Sequence, residues 1–494
     1  MTDTPPGPFP ALAQALPEDP VRPETAPHLH ELDLAHMVML VESELVAPET
    51  GATILSTLFD TETEGVFDAR DSVGGGNLAG ERLVTARLGA AVGGQLGLAR
   101  SPAELAATGF RLFARERLLE LMEALYQLRE SLIGFAEAHA GEIVAAQVQG
   151  GPAQPTTFGH WALMIDSALT RDSERLVALY GRVNRSPAGA GSLAGADLPV
   201  RRLRTAELLG FDGLVENTYD AVAGHDLMLE FTGALAILTL TAARLADDLL
   251  LWAGPGQGLV SLPGAAGGAR LGRDAGPAVL GQIRMLAARA QGVLATATLA
   301  ERGPTALANF GRDATEQAAI DISGAVLAEL PQIAALLGEV RVDAGRAARL
   351  AAREWSLAID LAAALGRHCG MARHRAEQLA EAVMRDGLAR GTGPETLTAA
   401  ALARVASELG MAEARLSQEQ IDAALDPRAF VERRSGTGGP GPEGLARGLV
   451  SAQSRIRLGR SRLAERHRAL QAARAGLRAA AEGLLLQPRK TARA

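Results

Sequence analysis

A glycine-rich stretch, GGARLGRDAGP, occupies residues 267–277 and carries the charged side chains Arg270, Arg273 and Asp274. Its Gly-x4-Gly-Arg-Asp pattern is close to the loop that cradles nucleotide phosphates, in which a lysine follows the second glycine. Arginine is a bulky planar fork and does not replace a compact ammonium group there. The chain contains a single lysine, Lys490. We therefore exclude a phosphate-binding P-loop, and also a pyridoxal enzyme with a Schiff-base lysine.

The composition excludes further kinds of site. One cysteine, Cys369, permits neither an internal disulfide nor a cysteine-ligated zinc site. His28, His30 and His36 lie close together in the sequence, but no carboxylate–histidine helical motif surrounds them. We therefore predict no metal and no cofactor. The 49 basic residues are fewer than the 57 acidic ones, which argues against a nucleic-acid partner.

Three segments of the chain resemble argininosuccinate lyase, a family of the fumarase and aspartase superfamily. They are AQPTTFGHWALMIDSALTRDSERL (153–176), RVNRSPAGAGSLAGADLPVRRLRTAELLGFDGLVENTYDAVAGHDLMLEF (182–231) and LDPRAFVERRSGTGGPGPE (425–443). The resemblance implies a mostly helical homotetramer with a central bundle of long helices, in which each active site collects loops from several subunits. It also implies anti β-elimination next to a carboxylate, with cationic and N–H donors around the dianion that forms.

The family motif His-Thr-x-Arg-Ser-Arg-Asn-Asp is half present. Arg100 and Ser101 match it, whereas residues 102–104 are Pro-Ala-Glu in place of Arg-Asn-Asp. Asn217, in ENTYDAV, matches an asparagine that contacts substrate in the family, and His225 stands where an arginine is expected. The resemblance therefore implies that part of a carboxylate-binding site is retained.

Two other family motifs have lost the groups that transfer protons. In QVQGGPAQP, Gln149 takes the place of the histidine, and glutamine does not titrate near neutral pH. The mobile Gly-Ser-Ser-x-Met-Pro-x-Lys-Lys-Asn-Pro loop aligns with residues 267–277. There Gly268 and Ala269 replace the two serines, and residues 274–276 replace the lysine pair and the asparagine. The loop therefore keeps the length found in the family but lacks its serine base and its lysines.

Loss of a general base or acid costs about 10²- to 10⁴-fold in rate, so we predict no ordinary cleavage of argininosuccinate. Two functions stay open. The first is a C–N or C–O lyase, or a related elimination, addition or cyclisation enzyme, that acts on a carboxylate-bearing small molecule in specialised metabolism. The second is a catalytically inactive scaffold that binds a ligand or a partner protein. The candidate catalytic residues are Gln149, His225, Arg273 and Asp274, and the candidate substrate-binding residues are Arg100, Ser101, Asn217 and Arg270.

Long helices must position these loops. Apolar residues recur at helical spacing over residues 111–144 and 225–253, and again from about Arg270 and from Ala314, where Pro331 predicts a kink. Periodic runs this long are typical of helix bundles. The sequence therefore predicts an all-α, three-domain protein with a central long-helix bundle. Because these apolar stripes exceed what one bundle hides, we expect a homotetramer with active sites at its subunit interfaces.

The flanking regions predict the remaining organisation. We expect a disordered leader, an N-terminal helical domain, the central bundle and a C-terminal helical domain with a basic tail helix, at residues 1–27, 28–104, 105–345 and 346–494. Residues 445–494 hold twelve basic and two acidic residues. Arg455, Arg462 and Arg466 are spaced along this tail, which either contacts an acidic partner, packs back onto the first domain or presents a solvated face.

The N-terminus lacks the basic and apolar regions of a signal peptide. The longest uncharged stretch in the helical middle of the chain, residues 231–243, is too short to span a bilayer. The sequence therefore predicts a cytoplasmic protein without a membrane partner.

Overall fold

The computed structural model describes residues 20–148, 151–264, 275–302, 310–353 and 355–486. It is 74% helical and 4% strand, which confirms the all-α fold class. Residues 1–19 of the predicted leader lie outside the described part. Residues 20–27 differ from a disordered leader, because Val21 and Arg22 are buried and Arg22 forms an ion pair of 3.2 Å with Glu316.

Short helices form the N-terminal layer. They are α1 (Ala26–Glu42), α2 (Pro48–Glu64), α3 (Val66–Asp71), α4 (Ala79–Leu88) and α5 (Ala90–Gly93). Their core contains Leu32, Leu40 and Leu55, and it also includes Leu208 and Leu477 from far along the chain. The hydrophobic layer is therefore completed by later segments, and the predicted boundary at residue 104 stays a prediction.

Long helices build the centre. The elements here are α6 (Pro102–Ala138), β1 (Ile143–Val148), β2 (Gly151–Thr157), α7 (Phe158–Val183), α8 (Arg202–Leu208), α9 (Thr218–Ala223), α10 (Asp226–Ala253), β3 (Val260–Ser261), α11 (Ala275–Ala300), α12 (Phe310–Glu339) and β4 (Arg341–Val342). Helix α6 buries Leu118, Leu121, Leu125, Leu128 and Leu132 completely. Their alternating spacing of three and four places one apolar stripe against the neighbouring helices.

The predicted helix over residues 111–144 is wrong at its end. Helix α6 ends at Ala138, and Ile143 and Val144 instead lie in β1, which pairs with β2 as an antiparallel hairpin. A short apolar run does not distinguish a strand from the last turn of a helix. The strands β3 and β4 form a second antiparallel pair.

Helix α12 continues through Pro331 without a break. Its stretch Thr315–Glu339 is long and apolar enough to cross a membrane, but half of the most apolar window is buried inside the protein. The helix packs against α6, α10 and α11. We therefore assign it as a core helix of the bundle.

The bundle has two ends because its helices alternate in direction. The first end holds Ser101, residues 184–225 and Glu301, and the second end holds the β1–β2 hairpin and the β3–β4 pair. At a rise of 1.5 Å per residue, α6 and α10 separate the two ends by roughly 40 to 55 Å.

Smaller helices follow the bundle, and those within residues 355–424 share a core of their own, which includes Leu361, Leu379 and Leu402. The smaller helices are α13 (Ala344–Arg353), α14 (Ala358–Cys369), α15 (Arg373–Ala389), α16 (Ala399–Glu408), α17 (Gln418–Ala424) and α18 (Pro427–Glu432). The predicted domain boundary at residue 345 falls inside helix α13, which begins at Ala344. This boundary stays a prediction.

The basic tail forms one helix of 44 residues, α19 (Pro442–Leu485). Ile456, Leu463, Leu470, Leu477 and Leu484 are buried at every seventh position. This repeat keeps one seam of α19 on its neighbours, first α6 and α7 and then α1 and α2. The helix therefore returns to the N-terminal layer, as one of the alternatives predicted.

Candidate functional site

The start of α6 forms one wall of the first end. Ser101 is the N-cap of α6, and its hydroxyl oxygen accepts a hydrogen bond from the Glu104 N–H at 3.2 Å. The same hydroxyl donates to the Gly191 carbonyl at 2.8 Å. The Glu104 carboxylate accepts hydrogen bonds from the N–H groups of Gly189 and Gly191, both at 2.7 Å. Ser101 and Glu104 thus fasten a distant loop to the helix.

That loop is the glycine-rich segment SPAGAGSLAG, residues 186–195. Gly189 and Gly191 have φ values of +75° and +61°, which side chains other than glycine rarely adopt. Arg202 holds the loop from its other side by donating to the carbonyls of Ala188 and Val215 at 3.0 and 2.9 Å. The loop is therefore fixed in one conformation by charged side chains from α6 and α8.

Arg100 directs its side chain into the N-terminal layer. Its Nη1 donates to Asp33 Oδ1 at 2.7 Å, and its side chain is 2% exposed. Arg70 binds the other oxygen of the same carboxylate. Burial alone would raise the pKa of Asp33, but the two arginines hold it below its usual value. Within the described residues, Nε and Nη2 of Arg100 are buried without a hydrogen-bond acceptor.

Asn217 and His225 flank α9 on the same wall. Asn217 is exposed, and its Oδ1 accepts hydrogen bonds from the N–H groups of Tyr219 and Asp220 at 2.8 and 3.1 Å, so it caps α9. His225 precedes the first residue of α10, and its Nδ1 lies 3.8 Å from Glu301 Oε2 at the end of α11. Both side chains of this pair are largely buried. At this distance the carboxylate can stabilise a protonated imidazole as an ion pair, whereas direct proton transfer needs a contact of about 2.6 to 3.2 Å.

Four of the predicted site residues lie on elements that meet at the first end of the bundle. Ala103, Ala190, Leu193, Val215 and Val222 form one small apolar cluster that joins the start of α6, the glycine-rich loop and α9. Arg100 and Ser101 precede this cluster at α6, whereas Asn217 and His225 flank α9.

Gln149, Arg270, Arg273 and Asp274 lie outside the described residues, and their predicted roles stay predictions. The residues that flank them lie at the second end of the bundle. Val148 and Gly151 pair across the hairpin, and Gly276 donates its N–H to the Pro263 carbonyl. In a single chain these flanking residues lie roughly 40 Å or more from His225.

One group of three metal-ligand side chains occurs in the described part of the chain. His28, Glu31 and Glu116 place one ligand atom each within 4.8 Å of one another. Arg474 donates to both carboxylates, at 2.8 Å from Glu31. Burial, together with the charges of Arg474 and Arg115, lowers the pKa of His28 to about 3. Because an arginine already neutralises the carboxylates, we assign no metal site here.

Sequence reasoning missed two residues of this wall. Glu104 is spaced three residues after Ser101, and this Ser-x-x-Glu spacing is a capping signal that was available. Its bonds to Gly189 and Gly191 were not predictable from that local signal, because they span 85 and 87 residues. Glu301 carried no motif, and only the packing of α11 beside α10 places it near His225.

Known proteins similar to this chain include lyases. A family model described as lyase matches residues 68–269. The argininosuccinate lyase of Methanoculleus marisnigri is 31% identical over 424 residues, which cover 84% of this chain and 84% of that protein. The argininosuccinate lyase of Halobacterium salinarum is 34% identical over 435 residues and 86% of each protein.

Solved structures show the same fold. EDDS lyase in complex with formate superposes with a TM-score of 0.86 at 27% identity, covering 95% of this chain and 93% of that chain. An EDDS lyase variant with bound fumarate gives a TM-score of 0.85 over the same shares of the two chains. The class II fumarase of Schistosoma mansoni, at 15% identity and a TM-score of 0.69, supports the fold alone.

Proposed function

Because the chain belongs to the argininosuccinate lyase family, among the lyases of the fumarase and aspartase superfamily, we propose that it performs altered chemistry in the family cleft. The reaction is a C–N or C–O elimination, or a related addition or cyclisation, on a carboxylate-bearing small molecule. One observation carries this proposal. The positions of the family's serine base, histidine and lysines hold Gly268, Ala269, Gln149 and residues 274–276.

Rate arithmetic supports the exclusion of the family's ordinary reaction. A missing general base or acid costs about 10²- to 10⁴-fold, and each missing donor around the dianion costs about 10²- to 10³-fold. Here the base, its proton partner and the lysine cation are missing together. The single lysine of the chain, Lys490, lies in the tail, far along the sequence from that loop.

The pair of His225 and Glu301 supports a different route for the proton. The Glu301 carboxylate, with its Oε2 3.8 Å from Nδ1 and largely buried, would stabilise a protonated His225. Arginine stands at the corresponding family position, so His225 introduces an imidazole that can both accept and donate a proton. We assign His225 to proton transfer, with Gln149, Arg273 and Asp274 as further catalytic residues supplied by other segments.

The substrate class follows from the anion-binding residues. We assign Arg100, Ser101, Asn217 and Arg270 to substrate binding, in line with the family motif. In this chain the Arg100 side chain is buried against Asp33, so its role in substrate binding rests on the family motif. The solved EDDS lyase structures hold fumarate and formate, which are small carboxylates of this kind.

We propose a homotetramer with active sites at subunit interfaces. The two groups of site residues attach to opposite ends of the bundle, so chains that pack antiparallel would bring them together. Several exposed apolar side chains on α10 and α11 support such packing, and they are Ile237, Leu240, Leu251, Met285 and Leu299. A cytoplasmic location and a role in specialised metabolism complete this proposal.

The experiment measures fumarate by its absorbance in both directions of reaction. Argininosuccinate should release no fumarate above background. Fumarate incubated with a panel of ammonia, alkylamines, diamines and hydroxylated amines should be consumed with at least one of them. His225→Gln should lower that rate at least a hundredfold. The matched control is His467→Gln, since His467 is exposed on α19.

Cleavage of argininosuccinate at even a hundredth of the rate usual for the family would contradict altered chemistry. Equal rates for His225→Gln and His467→Gln would contradict the role of His225.

A second candidate function is a catalytically inactive scaffold that binds a ligand or a partner. The observation that favours it is the structural role of three motif residues. Arg100 pairs with Asp33, while Ser101 and Asn217 cap helices. These structural roles would explain why the three residues are retained even if the protein catalyses no reaction. Two results together would support the scaffold. Fumarate would raise the melting temperature of the protein, and no amine of the panel would be consumed.

A further inference from the structure

The arginines of α19 fall into two groups. One group is paired with acidic residues on α6 and the N-terminal layer. These pairs are Arg460 with Glu123 and Glu130, Arg474 with Glu31 and Glu116, and Arg478 with Glu62. Arg447 pairs only with Glu443 of its own helix. Five arginines of α19 have no ion pair within 4.0 Å among the described residues; Arg455, Arg462 and Arg466 form the second group, and Arg457 and Arg468 are exposed elsewhere on the helix. The positive charge of this second group is therefore uncompensated by close carboxylates.

These three arginines line one groove between α6, α7 and α19, which we call the arginine groove. It has a volume of about 280 Å³, which is close to the size of small-molecule pockets and far above the ~30 Å³ of one water. Arg462 and Arg466 are four residues apart, and Arg455 precedes Arg462 by seven. This spacing places all three guanidinium groups along one face of the helix.

The floor of the arginine groove combines apolar surface with an available hydroxyl. Met122, Val177 and Leu463 supply the apolar part. Tyr126 also lines the groove, and its side chain is 4% exposed. Its hydroxyl has no hydrogen-bond partner among the described residues. It lies against Gly459, where a Cβ would come within 2.3 Å of the Tyr126 oxygen.

Nearby charges do not cancel the three arginines. Arg129, at the base of the groove, is already neutralised by Asp166 at 2.8 Å and donates to Thr170 at 2.7 Å. Glu174 at the rim is the one carboxylate among the groove-lining residues. The arginine groove therefore carries a net positive charge beside the Tyr126 hydroxyl.

Arg466 is held in position for binding. Its guanidinium lies 4.3 Å from the centre of the Tyr180 ring. Stacking on an aromatic face leaves the in-plane N–H groups of an arginine available to an anion.

We propose that the arginine groove binds a small organic anion that joins a carboxylate-type head to an apolar body. Arg462 and Arg466 bind the head, the Tyr126 hydroxyl donates to it, and Met122 and Val177 contact the body. None of the residues in this site belongs to the predicted active-site motifs, so the site is separate from the proposed reaction. Its recessed position between three helices and its volume favour a small molecule over an acidic protein segment.

The test is isothermal titration calorimetry of the full chain with 4-phenylbutyrate and with its neutral counterpart, 4-phenylbutanol. We expect saturable binding of the acid and at least tenfold weaker binding of the alcohol. Arg462→Gln combined with Arg466→Gln should weaken the binding of the acid at least tenfold. Tyr126→Phe should weaken it about threefold or more.

The matched control removes the same charge from the same helix outside the groove. Arg457 and Arg468 are exposed and do not line it, so Arg457→Gln with Arg468→Gln should leave the affinity within twofold. Circular dichroism checks that each variant is folded. Arg462→Gln alone, at an exposed position, keeps the test decisive if loss of Arg466 disturbs the packing on Tyr180.

Three results would overturn the proposal. They are the absence of saturable binding to the unsubstituted chain, equal affinity for the alcohol, and unchanged affinity in the double variant. A change of elution volume in the double variant would also overturn it, because the groove would then be a contact between copies of the chain.

Discussion

Ser101 and Glu104 tie the start of α6 to a loop 85 to 90 residues later in the chain. Gly189 and Gly191 can donate to one carboxylate only because both adopt left-handed backbone conformations. The first wall of the candidate site is thus held by buried charge-assisted hydrogen bonds. Substitution of Glu104 should therefore reduce the order of the glycine-rich loop more than that of helix α6.

We predict that Glu104→Gln lowers the free energy of unfolding by about 2 kcal/mol, because the amide loses the charge and faces one loop N–H with its own NH₂ group. Urea denaturation followed by circular dichroism measures this loss. Glu120→Gln on the same helix is the control, since the Glu120 side chain is 52% exposed and its substitution should change stability by less than about 0.5 kcal/mol. Equal effects of the two substitutions would contradict the anchoring role.

His36 makes stability depend on pH. It is 2% exposed, and its Nε2 lies 2.9 Å from the Leu98 carbonyl. Burial, with the charge of Arg100, lowers its pKa from 6.5 to about 3. Between these values the unfolded chain binds a proton that the folded chain does not, so stability falls as the pH drops below about 6.5.

Between pH 7 and pH 5 we expect His36 to account for about 2 kcal/mol of the fall in the free energy of unfolding. The His36→Gln variant should therefore lose about 2 kcal/mol less stability over this range than the unsubstituted chain. Glutamine can still donate to the Leu98 carbonyl but does not titrate. Urea midpoints at the two pH values measure the difference, with His467→Gln as the exposed control. An unchanged pH dependence in His36→Gln would show that other groups account for the acid sensitivity.

At the scale of elements, helix α19 joins the bundle to the N-terminal layer. Leu477 is 4% exposed and belongs to the core formed by α1 and α2. We predict that Leu477→Ala destabilises this layer by about 2 to 5 kcal/mol. Hydrogen exchange should show faster exchange in α1 and α2, with little change in the C-terminal domain.

Leu458 is the matched control, because it lies on the same helix and is 52% exposed. Leu458→Ala should change exchange in α1 and α2 very little. If Leu477→Ala left α1 and α2 protected, the seam of α19 would not stabilise the N-terminal layer.

The elements were predictable from the sequence where periodicity is long. The predicted helix over residues 225–253 agrees with α10 at Asp226–Ala253, because one apolar pattern runs its whole length. The β1–β2 hairpin was not predicted, since its apolar run is short and its pairing is not a helical signal. Ser101 and Asn217 could be located from family motifs, but their capping roles depend on chain directions that appear only in three dimensions.

At the scale of the whole molecule, exposed apolar residues on α10 and α11 lie on the bundle surface. Leu240 is 51% exposed in a single chain, and Ile237 and Leu251 lie near it on the same helix. Such a stripe is costly in water and marks an interaction surface. It supports the proposed assembly of antiparallel chains.

We predict that Leu240→Glu converts the proposed tetramer into smaller species, because a charge would be buried in each interface. Size-exclusion chromatography with light scattering measures the mass. Leu388→Glu is the control, since Leu388 is 60% exposed in the C-terminal domain and should leave the mass unchanged. A monomeric unsubstituted protein would contradict the assembly itself.

The packing of Leu477, Ala481 and Leu484 into the first hydrophobic layer also has a consequence for synthesis on the ribosome. Residues 29–112 of that layer leave the exit tunnel long before these three do. At about 5 to 20 residues per second, the nascent chain waits roughly 20 to 70 seconds for them. During that interval the layer lacks its closing helix, so its apolar surface is open to chaperones until translation reaches the tail.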